Sequence, residues 1–280
     1  LLEQRTGLKA DTELSLKIEE YWKNGGPENI AAYLAFIYNA ASPRHKLPVP
    51  QPIVLRTSGV YHPALPELAA SLEDYLAWYR SSRRLPADAA IAGITFFHTS
   101  YKTGDMAHIN ALITELEKHG IVPAAMCAWP PAQQLPKLFD PRNHPLRLLY
   151  VMNYNFARPE DAQLLETIDV PAISLVTTRY AAAEWSGSPH GVPPESLAQQ
   201  VAAPERAGVT EPIVIATSER TTGSNERYYR PVQERIAAAV ARGQRWLTLQ
   251  RKPNRDKRLA MLYYNRSEEH TSELQSRQYL

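Results

Sequence analysis

The segment from residue 91 to residue 129 constrains the fold more than any other. Ile91-Ala92-Gly93-Ile94-Thr95-Phe96-Phe97 is a short apolar, partly β-branched run, the pattern of a buried strand. It empties into the polar stretch His98-Thr99-Ser100-Tyr101-Lys102-Thr103-Gly104-Asp105. From Asp105 a helical period begins. Ile109, Leu112, Ile113 and Leu116 share one face, and Lys118-His119-Gly120 is a helix stop. Ile121–Trp129 then predicts a second strand. Two strands joined by such a helix form a right-handed crossover in a parallel sheet. Open sheets of this kind bind ligands beyond the C-terminal ends of their strands. The polar loop there carries His98, Tyr101, Lys102, Asp105 and, one turn on, His108.

Punctuation organises the rest. Helices are expected over Thr12–Asn24 and Pro27–Ala41, split by Gly25-Gly26, with Pro27 at a helix-start position. A proline-rich connector, Ser42–Pro52, leads to a short strand at Ile53–Leu55 and a polar turn, Arg56–Pro63. An amphipathic helix is expected over Pro66–Ser81. Further strands are expected at Leu146–Tyr154, Ala172–Thr177, Ile213–Thr217 and Leu259–Tyr264, and helices at Pro159–Ile168, Pro194–Ala202 and Tyr229–Arg242. Strands alternating with helices predict an α/β fold: a mostly parallel sheet with flanking helices, Rossmann- or flavodoxin-like, preceded by a helical segment. The corresponding division is 1–52 (helical segment and connector), 53–87 (strand-turn-helix linker), 88–265 (α/β domain) and 266–280 (tail). The tail Arg266–Ser276 reads as the translation of a common sequencing-library adapter, so it is expected to be non-native. The native reading then stops at Asn265 inside an element and lacks an initiator Met, so the chain is expected to be a fragment of something larger.

Composition excludes several classes. With 44% hydrophobic residues and no apolar run of about 18, nothing is expected to span a membrane. The net charge of +2, or +3 without the tail, is too weak for a nucleic-acid footprint. The single Cys127, in an apolar strand, is expected to be a buried small hydrophobe, and no disulfide framework can form. Without a basic-then-apolar start, a cytoplasmic location is expected. There is no phosphate loop, no G-x-G-x-x-G after a strand, no nucleophile elbow, and no H-E-x-x-H or C-x-x-C spacing. Any use of ATP therefore falls to a partner.

Several colinear stretches resemble one family, the large subunits of the class I, ATP-dependent tetrapyrrole metal chelatases, of the cobaltochelatase (CobN) and magnesium chelatase H types. They are Tyr21–Asn29 (Y-x-x-x-G-G-P-E-N); Thr57–Pro63 with Tyr75–Tyr79; and Gly104-Asp105-x-x-His108 running into Glu115-Leu116-Glu117-x-x-Gly120. Glu184-Trp185, Pro204-Glu205, Glu211–Val214 and the Lys252–Arg258 stretch before Tyr263-Tyr264-Asn265 complete the series. Two departures stand out: Arg206-Ala207 replaces the usual Leu-Asp, and His98-Thr99-Ser100 matches its loop only in part.

The resemblance implies a cytoplasmic subunit that binds a tetrapyrrole and inserts a divalent metal, Co²⁺ into a corrinoid precursor of cobalamin biosynthesis or Mg²⁺ into protoporphyrin IX. AAA+ ATPase and adaptor subunits would bind ATP with its Mg²⁺ and drive insertion. Insertion removes two pyrrole protons, so carboxylates and neutral imidazoles are useful bases. Imidazole suits cobalt, whereas carboxylate and water suit magnesium. On this reading Asp105, His108 and Glu205 are catalytic candidates. Arg56, Tyr61, His62 and Glu184 are tetrapyrrole-binding candidates, and His98 and His108 are candidate metal ligands. Structural readings stand beside several of them: Asp105 as helix N-cap, His62 as a capping or loop-packing residue, Glu184 as a helix residue beside a packing tryptophan, and Tyr75, Trp78 and Tyr79 as core. The Lys252–Lys257 stretch favours cobalt and the Glu211–Val214 match favours magnesium; cobalt is preferred. A non-catalytic tetrapyrrole- or metal-binding homologue is the alternative from a different class.

Overall fold

The computed structural model describes residues 12–42, 46–54, 56–83, 86, 88–152, 158–189, 191–220 and 227–260. It opens with α1 (Thr12–Asn24) and α2 (Pro27–Ala41), the bounds that the Gly25-Gly26-Pro27 break predicts. Buried Asn29 on α2 anchors the connector that follows. Its Nδ2 donates to the Ile53 carbonyl at 2.7 Å, and its Oδ1 accepts the Ile53 N–H at 2.8 Å. With both backbone groups of Ile53 used in this way, the strand expected at 53–55 does not form among the described residues. The strand forms later, as β1 (Gly59–Tyr61). The next helix, α3 (Leu72–Ser82), begins six residues after the expected start. Ser71 accepts the Asp74 N–H as N-cap, and Ala69 pairs with Val60 instead of turning helical.

The sheet continues with β2 (Ile91–Phe96), β3 (Val122–Cys127), β4 (Leu146–Met152), β5 (Ala172–Thr177), β6 (Thr210–Arg220) and β7 (Arg227–Pro231). Its order is β1-β3-β2-β4-β5-β6-β7, with β3, β2, β4, β5 and β6 parallel and the two edges antiparallel. β2, β3 and β5 are buried along their whole length, as strands covered on both faces must be. The chain leaves β2 on one side for β3 and returns on the other for β4, so the strand order switches direction at β2. A ligand crevice is expected at the carboxyl ends there.

The remaining helices are α4 (His98–Thr103), α5 (Ala107–Lys118), α6 (Pro131–Leu138), α7 (Pro159–Ile168) and α8 (Ala182–Gly187). α9 (Pro194–Leu197) runs through a π turn, Ala198–Ala202, into α10 (Ala203–Arg206), and α11 spans Gln233–Arg251. One core layer sets α5 (Ile109, Leu112, Ile113, Leu116) and α11 (Ile236, Ala239, Val240) against Ile94, Tyr150 and Ile173. The other sets α3, α6 and α7 against Val122, Met126 and Leu149. The result is a helix-sheet-helix sandwich of the expected α/β class. Gly243 on α11 is required by packing, because a Cβ there would overlap the Tyr150 hydroxyl and Leu148. Cys127 is buried and free, as expected, and burial pushes its thiol up to about 12.

Three other elements differ from expectation. The polar loop after β2 holds the short helix α4, closed by Gly104 in the left-handed conformation (φ 74°). The helix expected from Tyr229 starts later, as α11 at Gln233, and Arg227–Pro231 forms β7 instead. Leu259 and Ala260 carry no regular structure; the rest of that expected strand, the last two residues of Leu146–Tyr154 and the 266–280 tail lie outside the described residues. The chain divides into a large unit ending at Leu247 and a small one from Thr248. The small unit includes a 3-10 turn, Asn254–Asp256, closed by Lys257 Nζ donating to Asn254 Oδ1 at 2.8 Å. Among the described residues no helix is long and apolar enough to cross a membrane.

Candidate functional site

Several of the candidate residues lie at the carboxyl ends of the parallel strands. β6 is the longest strand, and its last residues pair with β7, Ala216 opposite Pro231 through Arg220 opposite Arg227. This hairpin extension curls back until β7 meets the start of α5. The contact is specific. The Asp105 carboxylate accepts the backbone N–H of Tyr229 through both oxygens, at 3.0 and 3.2 Å. The N-cap position of α5 is Met106, so Asp105 serves β7 in place of the expected helix-capping role. One turn on, the His108 ring meets the Tyr229 ring edge-on, with centroids 5.3 Å apart.

His108 is 1% exposed, and its Nδ1 is buried without a partner. Burial lowers its pKa to about 4, so the ring is neutral at physiological pH. Asp105 shifts the other way: burial raises its pKa, opposed by the Tyr229 N–H bond. His98 opens α4 from the end of β2, and burial followed by the Lys102 charge lowers its pKa. Three of the four residues expected to carry proton and metal chemistry, His98, Asp105 and His108, thus share one end of the sheet. Among the described residues, no three His, Cys, Asp or Glu side chains gather closely enough to hold a metal ion.

Tyr229 also lines a crevice of about 620 Å³, together with Arg179, Tyr180, Glu184, Ser218 and Arg227. Its floor is backbone knitted across strand ends, where Thr178 donates to the Ala216 carbonyl and Ser218 to the Tyr180 carbonyl, each at 2.9 Å. Glu184 reaches this crevice from α8 and is exposed. Of this lining, only Glu184 is singled out by sequence reasoning. The available signal is a pair of Arg-Tyr steps, Arg179-Tyr180 one residue past a strand and Arg227-Tyr228-Tyr229-Arg230 in a polar run.

The structure does not bring the other candidates to this crevice. Glu205 is exposed on α10, which leads into the start of β6, so it sits at the amino end of the sheet. Arg56 lines a separate groove of about 380 Å³ with Ile53, Val54, Glu67 and Tyr101. Tyr61 donates to Asn110 Oδ1 at 2.9 Å and packs edge-on against Phe96 and Tyr101. His62 is 1% exposed and lies 3.2 Å from Glu117 Oε1 through Nε2, while its Nδ1 accepts the Ala64 N–H. Glu117 also accepts from the Tyr79 hydroxyl at 2.9 Å. Tyr75, Trp78 and Tyr79 ring the imidazole, which fits the packing reading of these residues. At His62 the desolvating effect of burial outweighs Glu117, and its pKa is lowered.

The fold is an open, doubly wound α/β domain with a crevice at its carboxyl edge. Residues 19–277 match the family described as CobN/Magnesium Chelatase, and the chain belongs to that family. It is 28% identical over 279 residues to the chloroplastic magnesium-chelatase subunit ChlH of Oryza sativa subsp. indica, covering 91% of this chain and 20% of that protein. It is 26% identical over 256 residues to the aerobic cobaltochelatase subunit CobN of Pseudomonas aeruginosa, covering 88% of this chain and 20% of that one. Among solved structures, the catalytic subunit of cobaltochelatase from Mycobacterium tuberculosis shares the fold. The match has a TM-score of 0.62 at 18% identity and covers 81% of this chain and 19% of the other. The chain thus spans about a fifth of the length of the relatives it matches.

Proposed function

We propose that this chain is the ring-holding part of a tetrapyrrole metal chelatase large subunit, with the tetrapyrrole bound across the carboxyl edge of the sheet and Co²⁺ as the metal delivered. Tyr229 carries this reading. Its side toward α5 is held by Asp105 and His108, and it also lines the crevice, so base and binding surface share one wall. Insertion exchanges two pyrrole protons for one divalent ion. A neutral imidazole such as His108 accepts a proton or ligates a metal without first losing one, once Tyr229 moves aside. Asp105, released from the Tyr229 N–H, is the second acceptor. His98 at the mouth of α4 is a further imidazole for handing the ion over. Histidine ligands favour cobalt over magnesium.

Energy would come from AAA+ ATPase and adaptor partners that hold ATP and its Mg²⁺, since this sequence has no phosphate loop. Magnesium insertion is the second reading. It is favoured by the carboxylate of Asp105 and by the 28% identity to a ChlH protein.

The test places Asp105→Asn with His108→Ala in the full-length subunit, assembled with its ATPase partners. Insertion of Co²⁺ into a corrinoid diamide and of Mg²⁺ into protoporphyrin IX is followed by absorbance. Insertion is expected to fall by about 100-fold, as for loss of a general base, while the melting temperature moves by a few degrees. Unchanged turnover removes this pair from the mechanism.

A further inference from the structure

The crevice holds two arginines, Arg179 and Arg227, that pair with no carboxylate among the described residues. Arg179 follows β5 and Arg227 opens β7, and both line the cavity beside Glu184 and Glu195. Among the described residues, neither arginine forms an ion pair with either glutamate or with any other carboxylate. An arginine beside unpaired glutamates gains by closing on them unless the backbone holds the charges apart. Here it does. Arg227 Nη1 donates to the Arg179 carbonyl at 2.7 Å and lies 3.5 Å from Ser218 Oγ, which fixes its stem across the crevice floor. The carbonyl and hydroxyl occupy one guanidinium nitrogen and leave the rest of the fork open.

The aromatic walls are fixed as well. Arg230 sits over the Tyr228 ring at 4.9 Å and Arg235 over the Trp185 ring at 5.9 Å, with the Nε of Arg235 buried and unpartnered. A third cation with an unsatisfied donor therefore stands against Trp185, the residue that follows Glu184 on α8.

Free arginine forks beside tyrosine faces are built for a flat ligand that carries carboxylates. Guanidinium matches a carboxylate bidentately, whereas a neutral amide or ester offers no charge-assisted pair. Glu184 and Glu195 repel that same group and so favour one orientation in the crevice. We infer that Arg179 and Arg227 clamp a carboxylate side chain of the tetrapyrrole and make a free acid on that edge of the ring a condition of binding. This rests on the function proposed above and adds the chemical selectivity of that site.

The test titrates this chain with deuteroporphyrin IX and with its neutral, water-soluble bis-glucamide, followed by porphyrin fluorescence. The acid is expected to bind about tenfold or more tightly than the bis-glucamide, the scale of one charge-assisted hydrogen-bonded pair. Arg179→Ala and Arg227→Ala should each remove most of that preference, and Arg227→Lys, which keeps the charge without the fork, should restore only part of it. Circular dichroism melts identify any variant that fails to fold, and Arg179→Gln then replaces the alanine variant. Equal binding of acid and bis-glucamide by the unmodified chain overturns the clamp and leaves ring binding standing. So does a preference unchanged in both arginine variants. Failure of the unmodified chain to bind either porphyrin overturns the clamp together with the function on which it rests.

Discussion

His108 makes the domain acid-labile in a way that can be calculated. Its pKa falls from 6.5 to about 4 because β7 covers the ring, so the unfolded chain takes up a proton well before the folded one does. A depressed pKa stabilises the fold above the unfolded value, and that stability is lost as pH falls from about 6.5 toward 4. The gap of about 2.5 pH units corresponds to about 3 kcal/mol once both states are protonated, and to about 2.5 kcal/mol at pH 4.5. Urea unfolding at pH 7.5 and pH 4.5 measures it, with His108→Gln as the reference that cannot titrate. Other groups contribute over the same range: Asp105 and Asp161, whose pKa values are raised, and Glu115 and Glu211, whose values are lowered by Lys118 and Arg242 respectively. All of them are present in both proteins, so they cancel in the difference. The unmodified chain should lose about 2 to 3 kcal/mol more than the variant on acidification. Equal losses, or a His108 ring that titrates near 6.5 in the folded protein, would refute the claim that β7 seals it.

Asp105→Ala should free the Tyr229 amide, raise its hydrogen-exchange rate by about tenfold and bring the His108 pKa back toward its ordinary value; NMR reads both. Gly243→Ala should destabilise by about 1 to 3 kcal/mol in thermal melts, because the new methyl meets the Tyr150 hydroxyl, and Tyr150→Phe should recover part of that loss. Glu117→Ala should cost about 2 kcal/mol by stranding the Tyr79 hydroxyl and the His62 ring, while porphyrin binding by the folded protein stays unchanged.

The regular interior was legible because its signals are local. Helices 12–24, 27–41 and 159–168 and strand 172–177 lie where glycine, proline and apolar period place them. What escaped depends on partners distant in sequence. β7 reads Arg-Tyr-Tyr-Arg-Pro, a half-exposed edge strand without apolar alternation, recognisable only through its pairing with β6. Asp105 sits where a helix cap belongs, yet its acceptors are taken by an amide 124 residues away. His62 stands beside a proline in a polar turn, and only the fold reveals Glu117, 55 residues on, at its other side. Glu205 shares the family motif series with Asp105, but a crossover helix starts at the carboxyl edge of a parallel sheet and ends at the amino edge. Asp105 precedes the start of one such helix, whereas Glu205 lies at the end of another.

The central claim is that the tetrapyrrole binds at the carboxyl edge of the sheet, against β7. Hydrogen-exchange mass spectrometry of this chain with and without saturating deuteroporphyrin IX tests it directly. The account expects protection at 98–108, 178–180 and 227–231, with no change around His62, Glu117 or Glu205. Protection confined to those latter positions, with the β7 amides unaffected, would contradict it.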